Sequence, residues 1–377
     1  MATGLRAARK ARGWSQERLI HEMRRYAEQR LLDIASSASL KVYISEWENG
    51  RRAISDRYAA LLRPLLGVTN AELRDDARET QPAPGGYEEL LSRIDTSSSV
   101  SKSMVAPLLA QTELLRTMDR QMGAVGLVDQ MNGHLTAMED ALTFAVLPGT
   151  RRPIAAALAG ASTLAAWQAL DAGAVERAWR RYELAKKAAQ DAESSLYLAH
   201  AMGEQAYVLA DAGRPLLAVE LVRDAQRTQA GRQSPRLCAW LAAAEAELCA
   251  AAGVNMASDA RAALDRAEIL LPDDGEVRDP DMLSIFLDTG HLTRWRGNVL
   301  AKLGDESAMD ELYASLNSAD PSFVRASAGV HCDLTQAHFA RGELDQARNH
   351  LQKARLAANR TGSARYRQRV ELLTGRL

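Results

Sequence analysis

Leu209-Ala210-Asp211-Ala212-Gly213-Arg214-Pro215, running on into Leu216-Leu217-Ala218-Val219-Glu220-Leu221-Val222-Arg223-Asp224-Ala225, holds the pattern that decides the fold. An alanine-rich run stops at a glycine. Small or apolar residues then recur five, nine and twelve positions beyond the glycine, at Ala218, Val222 and Ala225. The same offsets lead from Gly173 to Ala178, Tyr182 and Ala185, and from Gly342 to Ala347, Leu351 and Ala354. Looser copies surround Gly253 and Gly304, so five turns stand 40, 40, 51 and 38 residues apart. A glycine takes the left-handed backbone of a tight interhelical turn, and the small residues after it let the returning helix lie close to its partner. Beyond Pro153 the chain is alanine-rich and helix-forming, so the expected fold is all-α.

In these offsets the chain resembles the tetratricopeptide repeat, with a longer period than the usual ~34 residues, which implies that residues 153–377 form a TPR-like α-solenoid of about five helix pairs. The resemblance implies a concave face that receives a ligand. Counted along each first helix as in that family, the face takes Trp167, His200, Tyr207, Trp240, Arg294, Asn298, Lys302, Gln336 and Phe339, together with Asp211, Glu247 and His291. Arg294, Asn298 and Lys302 stand four apart, a polar stripe suited to a carboxylate or to the backbone of an extended peptide.

The first fifth of the chain has a different character. Ser15 follows Gly13 and Trp14 and precedes Gln16-Glu17-Arg18-Leu19-Ile20, so its hydroxyl is placed to cap a helix whose first turn carries Glu17. Ser39 is a second cap candidate, before Leu40-Lys41-Val42-Tyr43-Ile44-Ser45-Glu46-Trp47, and Asn49-Gly50 is expected to stop that helix in a left-handed turn. Leu40, Ile44 and Trp47 share one face, leaving Lys41, Val42, Ser45 and Glu46 on the others. Between the two helices His21 to Leu32 is helix-forming, and Ala35 to Ala38 is expected to be the loop.

Through Ser15-Gln16-Glu17-x-Leu19 and Ile44-Ser45-x-Trp47-Glu48-x-Gly50-Arg51-Arg52 this segment resembles the repressor-type helix-turn-helix family of the XRE, or Cro/C1, type. The intervening segment is longer than in that family. The resemblance implies that the second of these helices enters the major groove of double-stranded DNA. Lys41, Val42 and Glu46 are then the base-edge candidates, with Tyr43 and Ser45 at the margin, and Ser15, Gln16, Arg51 and Arg52 the phosphate candidates. Lysine donates to guanine, glutamate accepts from cytosine N4 and an aliphatic packs on the thymine methyl. Glu46 has an alternative as a solvated charge paired with Arg51 or Arg52.

A chain of 377 residues exceeds one ordinary domain. Residues 1–78 carry 15 Lys and Arg against 10 Asp and Glu, whereas the remainder has an excess of six acidic residues, a basic head on an acidic body. Thr80-Gln81-Pro82-Ala83-Pro84-Gly85-Gly86 marks a linker, taken as residues 79–102 with the polar tract Thr96-Ser97-Ser98-Ser99. Val105, Leu108, Leu109, Thr112, Leu115 and Met118 recur at helical spacing, and residues 127–147 repeat the pattern. Residues 103–152 therefore form connecting helices, either a dimer seam or an intramolecular cap. The start has no apolar signal segment, and the run Ile154 to Trp167 is too short to span a bilayer, so a cytoplasmic location and no membrane partner are expected.

Cys238 and Cys249 lie eleven apart on one expected helix, about 16 Å of rise and beyond disulfide reach, and Cys332 has no evident partner. No histidine–cysteine spacing suggests a metal, the acidic stretch Pro272 to Asp281 does not match a calcium hand and is expected to be a solvated loop, and no cofactor is implied. No nucleophile, phosphate-loop or paired-carboxylate motif argues for an enzyme. The two-part plan resembles peptide-responsive quorum-sensing regulators and, with 40 Arg against 7 Lys, regulators of development and specialised metabolism in GC-rich filamentous bacteria. The resemblance implies a transcriptional regulator that binds DNA as a homodimer, with a peptide or small-molecule effector. The alternative is a scaffold whose repeats bind a partner protein, the head being an accessory.

Overall fold

The computed structural model describes residues 4–68 and 86–376, apart from 31, 33, 50, 51, 53, 100, 101, 230–233, 274, 276–278, 280, 281, 283, 319, 321 and 322. Among the described residues the chain is all-α, with eighteen α-helices and no strand. It divides into two compact units, Met1–Leu91 and Ser92–Leu377. Gly50, Arg51 and residues 79–85, 100 and 101 of the expected linker lie outside the described residues.

Unit 1 contains α1 (Gly4–Ala11), α2 (Gln16–Gln29), α3 (Ser37–Glu48) and α4 (Asp56–Leu66). Their apolar faces meet in one core of Leu5, Leu19, Met23, Leu40, Ile44, Trp47, Leu61 and Leu62, each at most 3% exposed. Ser15 caps α2 as expected, its Oγ accepting from Arg18 N at 3.0 Å. The cap of α3 is Ser36, not Ser39: Ser36 Oγ accepts from Ser39 N, so the expected cap is itself in the first turn and the helix begins at Ser37. A serine three residues upstream has the same cap chemistry and can satisfy the amide of the residue proposed instead. Helix α2 is extended through His21 as far as Gln29, short of Leu32, and of the expected stop of α3 Asn49 has φ −103 while Gly50 lies outside the described residues.

Helix α5 (Gly86–Ser99) crosses the boundary between the units, and the polar tract Thr96 to Ser99 forms its last turn instead of a loop. Thr96 Oγ1 donates to the Ser92 carbonyl at 2.7 Å, the back-bond by which a hydroxyl residue is tolerated within a helix.

Unit 2 begins with a hairpin, α6 (Lys102–Met122) and α7 (Val128–Phe144), followed by helix pairs. These are α8 (Pro148–Asp171) with α9 (Val175–Asp191), α10 (Ser195–Asp211) with α11 (Pro215–Thr228), and α12 (Pro235–Ala252) with α13 (Ala257–Leu270). They continue with α14 (Thr289–Leu303) and α15 (Ala308–Ser318), then α16 (Val324–Ala340) and α17 (Leu344–Thr361), and end on α18 (Ala364–Thr374). Each pair turns at one of the five glycines singled out in the sequence, with φ between +73° and +113°. The offset residues are the buried seams of the second helices: Ala178, Tyr182, Ala185, Ala218, Val222, Ala225, Ala347 and Ala354 are all at 0% exposure.

The periodic face of α6 is spent inside the unit, where Val105 and Leu115 join Met131, Leu135, Ile154 and Leu158 in one core. The hairpin is thus an intramolecular cap, and this face is not free for a dimer seam. Helix α8 extends back to Pro148, giving 24 residues apolar enough to cross a membrane by length and composition, but 83% of its best window is buried within the unit. Asp279, in the acidic stretch expected to be solvated, is buried and accepts from Ser234 Oγ and, at 2.9 Å, from Met282 N. The three cysteines are free.

The row of pairs does not run on as an open superhelix. Arg325 on α16 donates to both carboxylate oxygens of Asp119 on α6, at 2.9 and 2.6 Å, and lies 3.5 Å from Asp171 at the end of α8. Ser363 Oγ donates to Asp171 at 2.6 Å, and Arg365 on α18 donates to both oxygens of Asp211 on α10, at 2.7 and 2.9 Å. Gly123 has φ +84 and lies so close to the Thr361 carbonyl that a Cβ would collide with it. The terminal helix α18 therefore fastens the last repeats onto the first.

A histidine cluster lies between α15, α16 and α17. His350 is 3.1 Å from both His331 Nδ1 and Tyr313 Oη and is stacked on His338, which meets Glu343 at 2.6 Å. Burial, and then the neighbouring His331, His338 and Lys353, lower the His350 pKa to about 4. The folded state therefore binds fewer protons at this site than the unfolded chain between about pH 6.5 and 4, and stability falls as pH drops through that window. Each unit of depression corresponds to about 1.4 kcal/mol. The melting temperature of unit 2 is expected to fall between pH 7 and 5, and less so in His350→Gln; an identical slope in the variant would contradict this.

Candidate functional site

The first candidate is the outer face of α3. Burying Leu40, Ile44 and Trp47 turns Lys41, Val42 and Ser45 outward, with Val42 54% exposed. Tyr43 is half-buried, packed on Trp47 and Tyr58 at 5.8 and 6.2 Å, with the Arg52 guanidinium 4.0 Å above its ring. Glu46 takes its alternative role: Arg52 Nη1 lies 3.3 Å from its carboxylate in an exposed pair, a contact worth at most about 1 kcal/mol. Arg51 lies outside the described residues. Ser15 is exposed at the start of α2.

Gln16, expected as a phosphate contact, has its amide turned inward, donating to Glu48 at 2.8 Å. Glu48 and Arg9 were not anticipated as partners. Arg9 donates through Nε at 2.5 Å and Nη2 at 2.9 Å to the two oxygens of Glu48, and through Nη1 to the Trp14 carbonyl at 2.6 Å. Burial pushes the Glu48 carboxyl up, but the hydrogen bonds from Arg9 and Gln16 and the charge of Arg9 outweigh it and hold the pKa below the usual range. One carboxylate at the end of α3 thereby ties α1 and the start of α2 to it and sets the angle at which α3 is presented.

The second candidate is a half-open cavity of about 530 Å³ in unit 2, on the inner side of the closed row of helices. Six of the nine expected groove residues line it: Trp167, Tyr207, Trp240, Arg294, Asn298 and Lys302; Asp211, Glu247 and His291 do so as well. His200 does not. It is buried behind the wall, edge-on to Trp240 at 5.3 Å and 3.6 Å from Glu204. Gln336 and Phe339 are also outside the lining. The lining face of α16 runs through Ala326, Gly329, Val330 and Asp333, Gln336 donates to the Ala301 carbonyl at 3.4 Å, and Phe339 is exposed. Offsets from a shorter repeat drift along helices of a longer one, which is why the last of them miss.

Most polar groups of the cavity are committed to one another. Glu247 accepts from Tyr207 Oη at 3.0 Å, Trp295 Nε1 at 2.9 Å and Lys302 Nζ at 3.0 Å. Burial would raise its pKa; the charges of Lys302 and Arg365 and these hydrogen bonds reverse that and lower it to about 2. Asn298 Nδ2 donates to both oxygens of Asp333 at 2.9 Å, and Arg369 donates to the same carboxylate. The polar stripe is therefore two-thirds occupied: Lys302 and Asn298 face carboxylates, and only Arg294 makes no hydrogen bond or ion pair with a described residue. The residues that sequence reasoning missed, Arg325, Arg365, Arg369 and Tyr366, come from the closing helices and carry no repeat offset.

His291 also lines the cavity. Asp288 caps α14 and accepts from His291 N and Nδ1, at 2.7 and 2.8 Å; this hydrogen bond, against burial, lowers the Asp288 pKa to about 2. Burial keeps the His291 pKa below its ordinary value despite Asp288, with Arg294 acting in the same direction. Among the described residues no group of His, Cys, Asp and Glu could hold a metal ion.

Compared with known proteins, the chain matches no family model and no curated sequence.

The Arg9–Glu48 pair makes a test of the first site's framework. Removing one partner of a buried pair costs about 3–5 kcal/mol. Glu48→Gln is expected to speed amide exchange across α1, α2 and α3 by about two orders of magnitude or more, with unit 2 unchanged. Equal protection in the variant would remove Glu48 from the framework.

Proposed function

We propose that the protein is a sequence-specific DNA-binding transcriptional regulator acting as a homodimer, reading the major groove with the outer face of α3 and carrying a ligand-responsive helical-repeat unit. The observation that carries the reading is the exposed row Lys41, Val42 and Ser45 on a helix whose other face is fully buried. Such a helix can enter a groove without exposing its core. The exposed hydroxyl of Ser15 at the start of α2 and the five excess positive charges of residues 1–78 support a phosphate-facing side. Gln16 acts in this reading by setting the position of α3 through Glu48.

The exposed Glu46–Arg52 pair is weak enough to open, freeing Glu46 for cytosine N4 and Arg52 for phosphate. The homodimer follows from the half-site logic of such readers, in which two-fold operators pair two heads about one helical turn apart. Unit 2 supplies the sensor, its cavity responding to an effector.

Selection of genomic fragments bound by the full-length protein is expected to enrich an inverted repeat. On that repeat Lys41→Ala should cost about 1–3 kcal/mol of specific binding and leave non-specific binding nearly intact. Absence of any enriched sequence, with or without cell extract, would overturn the reading, and equal loss of both kinds of binding would make Lys41 a phosphate contact.

A further inference from the structure

We propose that the cavity of unit 2 binds a compact aromatic carboxylate that also bears a hydroxyl or N–H donor. The proposal deepens the sensor reading of unit 2 and names the ligand class. Its test reads ligand binding alone, so it can fail while DNA binding stands, and the reverse.

Size comes first. About 530 Å³ falls in the range of pockets for single small organic molecules. The groove in which an extended peptide would lie is crossed by the Arg325–Asp119 and Arg365–Asp211 pairs. Charge comes second. Seven cationic side chains and five carboxylates line the cavity, an excess of two positive charges. Arg294 is the cation among them that the fold leaves uncommitted, and a guanidinium receives a carboxylate in a bidentate fork.

The third observation is an orphaned acceptor. Asn298 is 92% buried and lines the cavity, and its Oδ1 has no partner, nor has Ser284 Oγ on the same lining. The amide orientation is set by Asp333, because only the nitrogen can face two carboxylate oxygens. A buried oxygen left unsatisfied is costly, and a donor on the ligand recovers that cost. Arg294 and Asn298 are one helical turn apart, so one rigid molecule can meet both.

Shape is the fourth. Trp240 and Trp295 meet edge to face at 5.7 Å, as Trp167 and Tyr207 do at 6.1 Å, so four aromatic side chains line the cavity and a ring system can pack edge to face against them.

Three probes separate these requirements in calorimetric titrations of the full-length protein. 6-Hydroxy-2-naphthoate has the ring, the anion and the donor; 2-naphthoate lacks the donor; 2-naphthol lacks the anion. The hydroxynaphthoate is expected to bind one per chain, 2-naphthol about tenfold or more weaker, and 2-naphthoate in between. Arg294→Gln breaks no hydrogen bond or ion pair with a described residue and removes only a charge that acts on Asp288 and His291. It should bring the hydroxynaphthoate down to the affinity of 2-naphthol and leave 2-naphthol unchanged, while Arg294→Lys recovers part of the loss. No saturable binding of any probe, or hydroxynaphthoate binding indifferent to Arg294→Gln, would overturn the proposal.

Discussion

The organisation of unit 2 depends on ion pairs that join its first helices to its last. Asp119 and Asp171 are each 1% exposed, and the charges that face them, Arg325 foremost, come from helices more than 150 residues away. A buried carboxylate without its partner is costly, so once α6 and α8 carry these aspartates, α16 and α18 must return to meet them. A stack of helix pairs would otherwise propagate as an open superhelix in which each pair touches only its neighbours. Closure turns a concave face into a cavity, and it places Arg365, Tyr366 and Arg369 in the lining, where no repeat position would put them.

The same closure explains why the cavity is electrostatically ordered. Its carboxylates meet donors arriving from both ends of the unit: Lys302 and Arg365 hold Glu247 ionised, and Arg369 and Asn298 donate to Asp333. Among the lining groups these commitments leave unmatched are the guanidinium of Arg294, the oxygen of Asn298 and the hydroxyl of Ser284. In unit 1 a smaller version of the device operates, with Glu48 joining α1, α2 and α3 through Arg9 and Gln16.

Much of the fold was legible because it rests on local rules. Glycine in a left-handed turn followed by small residues at five, nine and twelve positions is a one-dimensional signal, and it located all five interhelical turns. The burial of Leu40, Ile44 and Trp47 follows from helical spacing in the same way. What escaped was non-local or degenerate. Nothing in spacing couples Arg9 to Glu48 or Arg325 to Asp119, since charge pairs at long separation have no period. Ser36 and Ser39 are equally good caps by residue type, and only the structure chooses between them. Thr96 to Ser99 has a loop-like composition, yet helix continuation carries it. The candidate cavity was two-thirds legible, through Trp167, Tyr207, Trp240, Arg294, Asn298 and Lys302, because those residues lie on repeat helices. It faded at His200, which packs behind the wall against Trp240 and Glu204, and at Gln336 and Phe339 on the last pair.

The closure is the central claim, and a double-mutant cycle on its best-buried pair tests it most directly. The unfolding free energies of the full-length protein, Asp119→Ala, Arg325→Ala and the double variant yield a coupling term free of each residue's other contacts. The account predicts a coupling of at least about 1 kcal/mol, as expected for a bidentate pair at 2.6 and 2.9 Å. Additive effects, with coupling near zero, would mean that α16 does not meet α6 and that the repeats form an open row.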